Sequence, residues 1–138
     1  MYEDIIAIEQ ILYRCCHAVD QGNIEKIMAL FHPNATLIIE WEENGRYEGH
    51  AEIRKWFDNY DIVVRSSMKY LRHKIACPVV EIAGETATAA SYLEVEASPK
   101  DTDQVIKTVG RYNDELIRFE GGWRLLKKLI SMDNTYAV

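Results

Sequence analysis

Cysteine and proline are scarce in this chain, with three of each in 138 residues. Cys15, Cys16 and Cys77 are too few and wrongly spaced for a disulfide framework or a zinc-binding set. Cys15 and Cys16 are neighbours in a helical pattern and point about 100° apart, so the cysteines are read as reduced, partly buried small hydrophobes. No run of 18 or more apolar residues occurs, which excludes a transmembrane helix. The first twenty residues carry Glu3, Asp4 and Glu9, where a signal peptide needs a basic start followed by an apolar stretch. A cytoplasmic location is therefore expected. Positive charge is also in deficit: 16 Lys and Arg against 22 Asp and Glu leave a net charge of -6. That balance weakens attraction to phosphate backbones and speaks against nucleic acid or an anionic membrane as partner. The positive cluster Arg124, Lys127 and Lys128 is expected to decorate a solvated face or pair with nearby acids. There is no HExxH, no compact ligand cluster, no GxGxxG and no phosphate loop, so no metal site and no cofactor is expected.

What is present is ordinary globular material, 48% hydrophobic and 28% charged, in a length suited to one domain spanning residues 1–138. From about Asp4 to Val19, Ile5, Ile8, Leu12, Cys15 and Val19 recur every three or four residues, widened by Ile11 and Cys16, which predicts an amphipathic helix. Gly22 ends it, and Asn23 caps a short second helix through Leu30, halted by Pro33. Ala35 to Trp41 is a strand, Asn44-Gly45 a turn, and Tyr47-Glu48 a return strand. After Gly49, the spacing of Ile53, Trp56, Phe57 and Tyr60 predicts a third helix, followed by a loop or short helix before Lys69. The period then changes. Tyr70 to Ile82, Thr86 to Glu96, Val105 to Phe119 and Trp123 to Met132 read as four strands, with tight turns at Gly84 and Gly121-Gly122. Pro78, lacking an amide donor, belongs at a bulge, a bend or an edge. Helices first and an antiparallel meander second is an α+β order.

Several segments together carry a family resemblance. They are Tyr13 to Asp20 closing the first helix, Leu30-Phe31-His32-Pro33-Asn34-Ala35 leading into a strand, and Tyr47-Glu48-Gly49 before the third helix. His73, Gly84 to Ala89, Gly110-Arg111-Tyr112 and Gly121-Gly122-Trp123-Arg124 complete the set. In that order the chain resembles the SnoaL-like, polyketide cyclase-like branch of the NTF2-like superfamily, with scytalone dehydratase, bile-acid dehydratase and hexachlorocyclohexane dehydrochlorinase as relatives. The resemblance implies a cone: three N-terminal helices on a strongly curved mixed or antiparallel sheet that encloses one deep pocket. It also implies a homodimer formed through the sheet, and cofactor-free proton transfer as a lyase, dehydratase, isomerase or cyclase. The fold hosts non-enzymes too, so a ligand-binding or assembly module is the alternative reading.

His73 matches the family's proton-abstracting histidine, and imidazole titrates near neutrality. From its neighbours Arg72 and Lys74 alone, a surface or capping histidine is the commoner reading, and the family pattern is what favours the functional one. Asp20 matches the acid that orients that histidine, since a carboxylate on one ring nitrogen sets the tautomer and stabilises the imidazolium. Beside Gly22 and Asn23, a turn role for Asp20 also stands. Among the phenols that can bind a substrate oxygen, Tyr112 leads and Tyr13 and Tyr92 are secondary. His17, three residues from Asp20, is a further secondary candidate. Where relatives carry a first-helix tyrosine, five residues before the acid or directly before it, this chain has Cys15 and Val19. His32 and His50 read as capping or surface residues. Cys15, Met28, Trp41, Trp56, Phe57, Met68 and Leu93 are the expected pocket wall, fit for a small, largely apolar organic ligand.

Overall fold

The computed structural model describes residues 1–138. Its helices are α1 (Tyr2–Gln21), α2 (Ile24–Met28) and α3 (Gly49–Val63), with a single 3-10 turn at Arg65–Ser67. The strands are β1 (Phe31–Ile39), β2 (Arg46–Glu48), β3 (Met68–Ala83), β4 (Thr86–Pro99), β5 (Ile106–Phe119) and β6 (Gly122–Ala137). The apolar stripe of α1 is buried as Ile8, Ile11, Leu12, Cys15, Cys16, Ala18 and Val19. Asn23 caps α2 by accepting a hydrogen bond from the Lys26 amide at 3.1 Å. No helix is long and apolar enough to cross a membrane.

One six-stranded sheet runs in the order β2-β1-β6-β5-β4-β3. β3 to β6 form the antiparallel meander, while β1 lies parallel to β6 and makes the sheet mixed. α1 packs on β3 and β6, and α3 packs on β1 and β2. Ile8, Leu37, Ile53, Leu93, Leu116 and Leu125 lie in the core between these layers.

The expected strongly curved sheet that encloses the pocket is corrected here. The sheet is an open ladder whose edges, β2 and β3, do not pair with each other. β3 is a poor closing strand: Pro78 lacks a donor, and its outward row carries Arg72 and Lys74, the usual means of blunting an edge. The helices, not the sheet, supply the opposite wall of the pocket.

Bulges set which residues face inward. In β3 the pairing slips between Lys69 and Arg72 and again between Ala76 and Val79, next to Tyr70 and Cys77, which have φ of 60° and 54°. Pro78 thus sits both on an edge strand and at a bulge. In β6 the pairing slips where Glu115 faces Lys127 but Leu116 faces Leu125, leaving Leu126 as the extra residue. A second slip leaves Asp133 extra opposite Val109 and Gly110. A Cβ on Gly110 would lie 2.0 Å from the Ser131 carbonyl oxygen, so the close approach there requires glycine.

Candidate functional site

A cavity of about 410 Å³ lies between the helices and the inner face of β3 to β6. Its wall is apolar except for His73, Thr108, Lys128 and Thr135 and the hydroxyls of Tyr60 and Tyr112. Cys15, Trp41, Trp56, Phe57 and Met68 line it. Met28 and Leu93, also expected in the wall, are instead buried in the core.

His73 reaches the cavity through the first β3 bulge. Met68, Leu71 and His73 all line the cavity, a spacing of three and then two that a regular strand cannot produce. The residue added at Tyr70 turns His73 inward and leaves Arg72 and Lys74 exposed.

Asp20 projects from the last turn of α1 onto the same histidine. Its Oδ1 lies 2.6 Å from His73 Nδ1, and both carboxylate oxygens accept from the His73 backbone amide at 3.0 Å. An acid is unfavourable at a helix C-terminus, and the last turn of α1 carries no basic residue. Arg65, from the 3-10 turn, supplies the missing charge: its Nε donates to the Asp20 carbonyl at 2.9 Å and its Nη1 to Asp61 Oδ1 at 3.1 Å. Gly22, with φ of 66°, makes room for this, because a Cβ there would lie 2.5 Å from Asp61 Oδ1.

The other ring nitrogen of His73 meets a phenol not singled out from the sequence. Tyr60 Oη lies 3.3 Å from His73 Nε2. Since a carboxylate only accepts, Nδ1 carries the proton shared with Asp20, and the Nε2 lone pair accepts from Tyr60. Burial first, and the Asp20 charge second, raise the Tyr60 phenol above its usual range. Tyr60 stacks on Trp56 with ring centroids 5.6 Å apart and 22° between planes. Trp56 Nε1 donates to Glu42 Oε2 at 3.0 Å, and Tyr47 donates to Glu42 Oε1 at 2.7 Å. The signal for Tyr60 was its helical spacing of four from Trp56, which puts both rings on one face of α3.

Deeper along β5, Tyr112 lines the cavity over a buried ion pair. Lys128 Nζ lies 3.5 Å from the Tyr112 ring centroid and donates to Asp114 Oδ1 at 3.1 Å. Lys128 is 1% exposed, so its expected place on a solvated face is corrected, while the pairing with an acid holds. Strict alternation from Trp123 and Leu125 would have pointed Lys127 inward; the extra Leu126 substitutes Lys128. Burial works against the Lys128 ammonium, but Asp114, with Cys15 and Cys16 beside it, raises the lysine above its usual range. Burial raises the Asp114 carboxyl in turn, opposed by Lys128. Tyr112 is raised well above the usual phenol value, by burial first.

The secondary candidates lie elsewhere. Tyr92 is 61% exposed on the opposite sheet face, as its alternation with buried Ser91 and Leu93 dictates. His17 is exposed and Tyr13 half-buried, and neither lines the cavity. His32 Nδ1 accepts from the Asn34 amide at 3.0 Å, and His50 Nε2 bonds the Phe31 carbonyl at 2.8 Å; both roles are local. No group of three or more His, Cys, Asp or Glu side chains is placed to hold a metal ion.

The sequence pattern of the SnoaL-like domain matches residues 1–128. Among solved structures, a protein from Novosphingobium aromaticivorans provisionally named an aromatic ring hydroxylase is 26% identical, with a TM-score of 0.84 over 100% of this chain and 95% of its own. A hexachlorocyclohexane dehydrochlorinase, LinA-type3 from Novosphingobium barchaimii, is 17% identical with a TM-score of 0.83, covering 99% and 91%. A protein from Novosphingobium aromaticivorans provisionally named a scytalone dehydratase is 15% identical with a TM-score of 0.83, covering 98% and 87%. No curated protein matches the chain in sequence. At these identities the two last likenesses speak for the fold.

Proposed function

The chain belongs to the SnoaL-like family, and from that premise we propose that it is a cofactor-independent lyase, isomerase or cyclase acting by proton abstraction. The substrate is a small, largely apolar carbonyl or hydroxy-carbonyl compound. His73 Nε2 removes a proton made acidic by the neighbouring carbonyl. Asp20, on Nδ1, holds the tautomer and stabilises the imidazolium that forms. Tyr112 contributes a polar handle at the deep end of the cavity. The reading is supported by one observation above all: the 2.6 Å contact of His73 with Asp20 at the wall of an apolar cavity that Trp41 and Trp56 line but do not fill. We also read the outer sheet face as the contact of a homodimer.

The test is turnover of an enolisable ketone followed by hydrogen exchange in heavy water. His73→Ala is expected to reduce exchange to the buffer rate while ligand binding persists; catalysis undiminished in that variant rejects His73 as the base.

A further inference from the structure

We propose that Tyr60 is a catalytic residue, whose hydroxyl covers the lone pair of His73 at rest and turns to the substrate oxygen as substrate binds, before the proton is transferred. The inference rests on the proton-abstraction reading above and deepens it. The substrate class it names is a ketone or related carbonyl compound with a C–H bond beside the carbonyl.

The first support is position. Tyr60 is the one phenol whose hydroxyl touches the imidazole, at 3.3 Å from Nε2, and both residues line the cavity. Tyr112 stands in a different row of the sheet. His73 pairs with Val95 and Val95 with Thr108, whereas Tyr112 is four residues further along β5. At about 3.4 Å per residue, that is roughly 14 Å of backbone along the strand, and the imidazole's hydrogen bonds go to Asp20 and Tyr60 instead. A donor for an oxygen attached beside the reacting carbon must lie near the base, and Tyr60 does.

The second support is rigidity. Tyr60 is held from behind by the Trp56 ring, itself tied through Nε1 to Glu42, whose other oxygen is occupied by Tyr47. A donor fixed before the reaction stabilises developing charge without reorganising at that moment. The third is protonation: buried and near Asp20, the phenol keeps its proton at neutral pH and so remains a donor. Neither Cys15 nor Val19 of α1 carries a phenol, and α3 brings one to the histidine from the opposite side.

The step balances without a further reactant. The Tyr60 O–H leaves Nε2 for the carbonyl oxygen as substrate binds. The C–H bond breaks, its proton passes to Nε2, and its electron pair forms the enolate, whose oxygen accepts the Tyr60 hydrogen bond. The proton on Nε2 then moves to another carbon, in an isomerisation, or to a departing hydroxyl, in a dehydration. Tyr60 neither gains nor loses a proton over the cycle.

The experiment uses 2-tetralone, an apolar bicyclic ketone, with exchange of its acidic hydrogens in heavy water followed by mass spectrometry. Tyr60→Phe keeps the ring stacked on Trp56 and removes only the hydroxyl. Its kcat for exchange is expected to fall about 10²- to 10³-fold with KM changed far less, the loss typical of one oxyanion donor. A second measurement needs no turnover: 2-naphthol, a mimic of the enolate, is titrated in the bound state by fluorescence. It is expected to ionise at lower pH in the unaltered protein than in Tyr60→Phe. Exchange within about 3-fold of the unaltered protein, with an unchanged naphthol titration, overturns the role of Tyr60 while a dead His73→Ala variant preserves the base. If unaltered protein and His73→Ala exchange alike and naphthol does not bind, the proton-abstraction reading falls and the Tyr60 role falls with it.

Discussion

Lys128 is 1% exposed, and its ammonium is shared between Asp114 and the face of the Tyr112 ring. Two charges withdrawn from water into an apolar site are costly, and their attraction repays that cost only while both are present. Lys128→Met therefore leaves the Asp114 carboxyl buried and unpaired. We expect it to lower stability by about 3–5 kcal/mol, whereas the double replacement Lys128→Met with Asp114→Leu recovers most of the loss. Urea denaturation of both variants checks this; equal destabilisation by the single and double replacements rejects the pairing as the cause. The geometry also gives the pair a direction, since Lys128 lines the cavity and Asp114 does not. The positive member of the pair is therefore the one on the cavity wall.

At the scale of the element, α1 is fastened at both ends by its acids. Asp20 at the C-terminal end meets His73 and receives the support of Arg65. At the N-terminal end, Asp4 accepts from Arg118 Nη1 at 3.1 Å, Arg118 Nη2 at 2.8 Å and Trp123 Nε1 at 3.0 Å, tying the helix to the β5–β6 hairpin. The hydrogen bond from Arg118, then that from Trp123, lowers the Asp4 carboxyl from 3.8 to about 2. A depressed folded value stabilises the fold above pH 3.8, and that contribution is lost as pH falls toward about 2. Urea midpoints of the unaltered protein and Asp4→Asn should thus differ most near pH 5 and converge toward pH 2. A difference that does not vary with pH contradicts the linkage.

For the whole molecule, the open sheet leaves a broad face uncovered on the side away from the helices. Val79 and Tyr92 are 59% and 61% exposed there, with Arg111, Asn113 and Lys127 on neighbouring strands. Apolar side chains set among polar ones on an open sheet face suit contact between two copies of one surface. The expected solution mass by light scattering is twice the 16.0 kDa of the chain; a monomer at every concentration rejects the dimer.

Element order, helix faces and turns were legible from local pattern alone. The stripe of α1, the Asn23 cap, the Asn44-Gly45 turn and the four-strand meander all follow from spacing and from residues with restricted backbones. Family likeness added Asp20 and His73 as a pair. Facing was not legible, because the side-chain direction in a strand reverses with each inserted residue. The Tyr70 bulge turned His73 inward, and the extra Leu126 turned Lys128 from an assumed surface residue into a buried one. Nor could local pattern choose the sheet's partners: the parallel contact of β1 with β6 joins the first strand to the last and leaves the sheet open. Tyr60 belongs to the same class of fact. Its helix and its inward face are sequence properties, whereas its meeting with His73 required α3, β3 and the bulge to be assembled together.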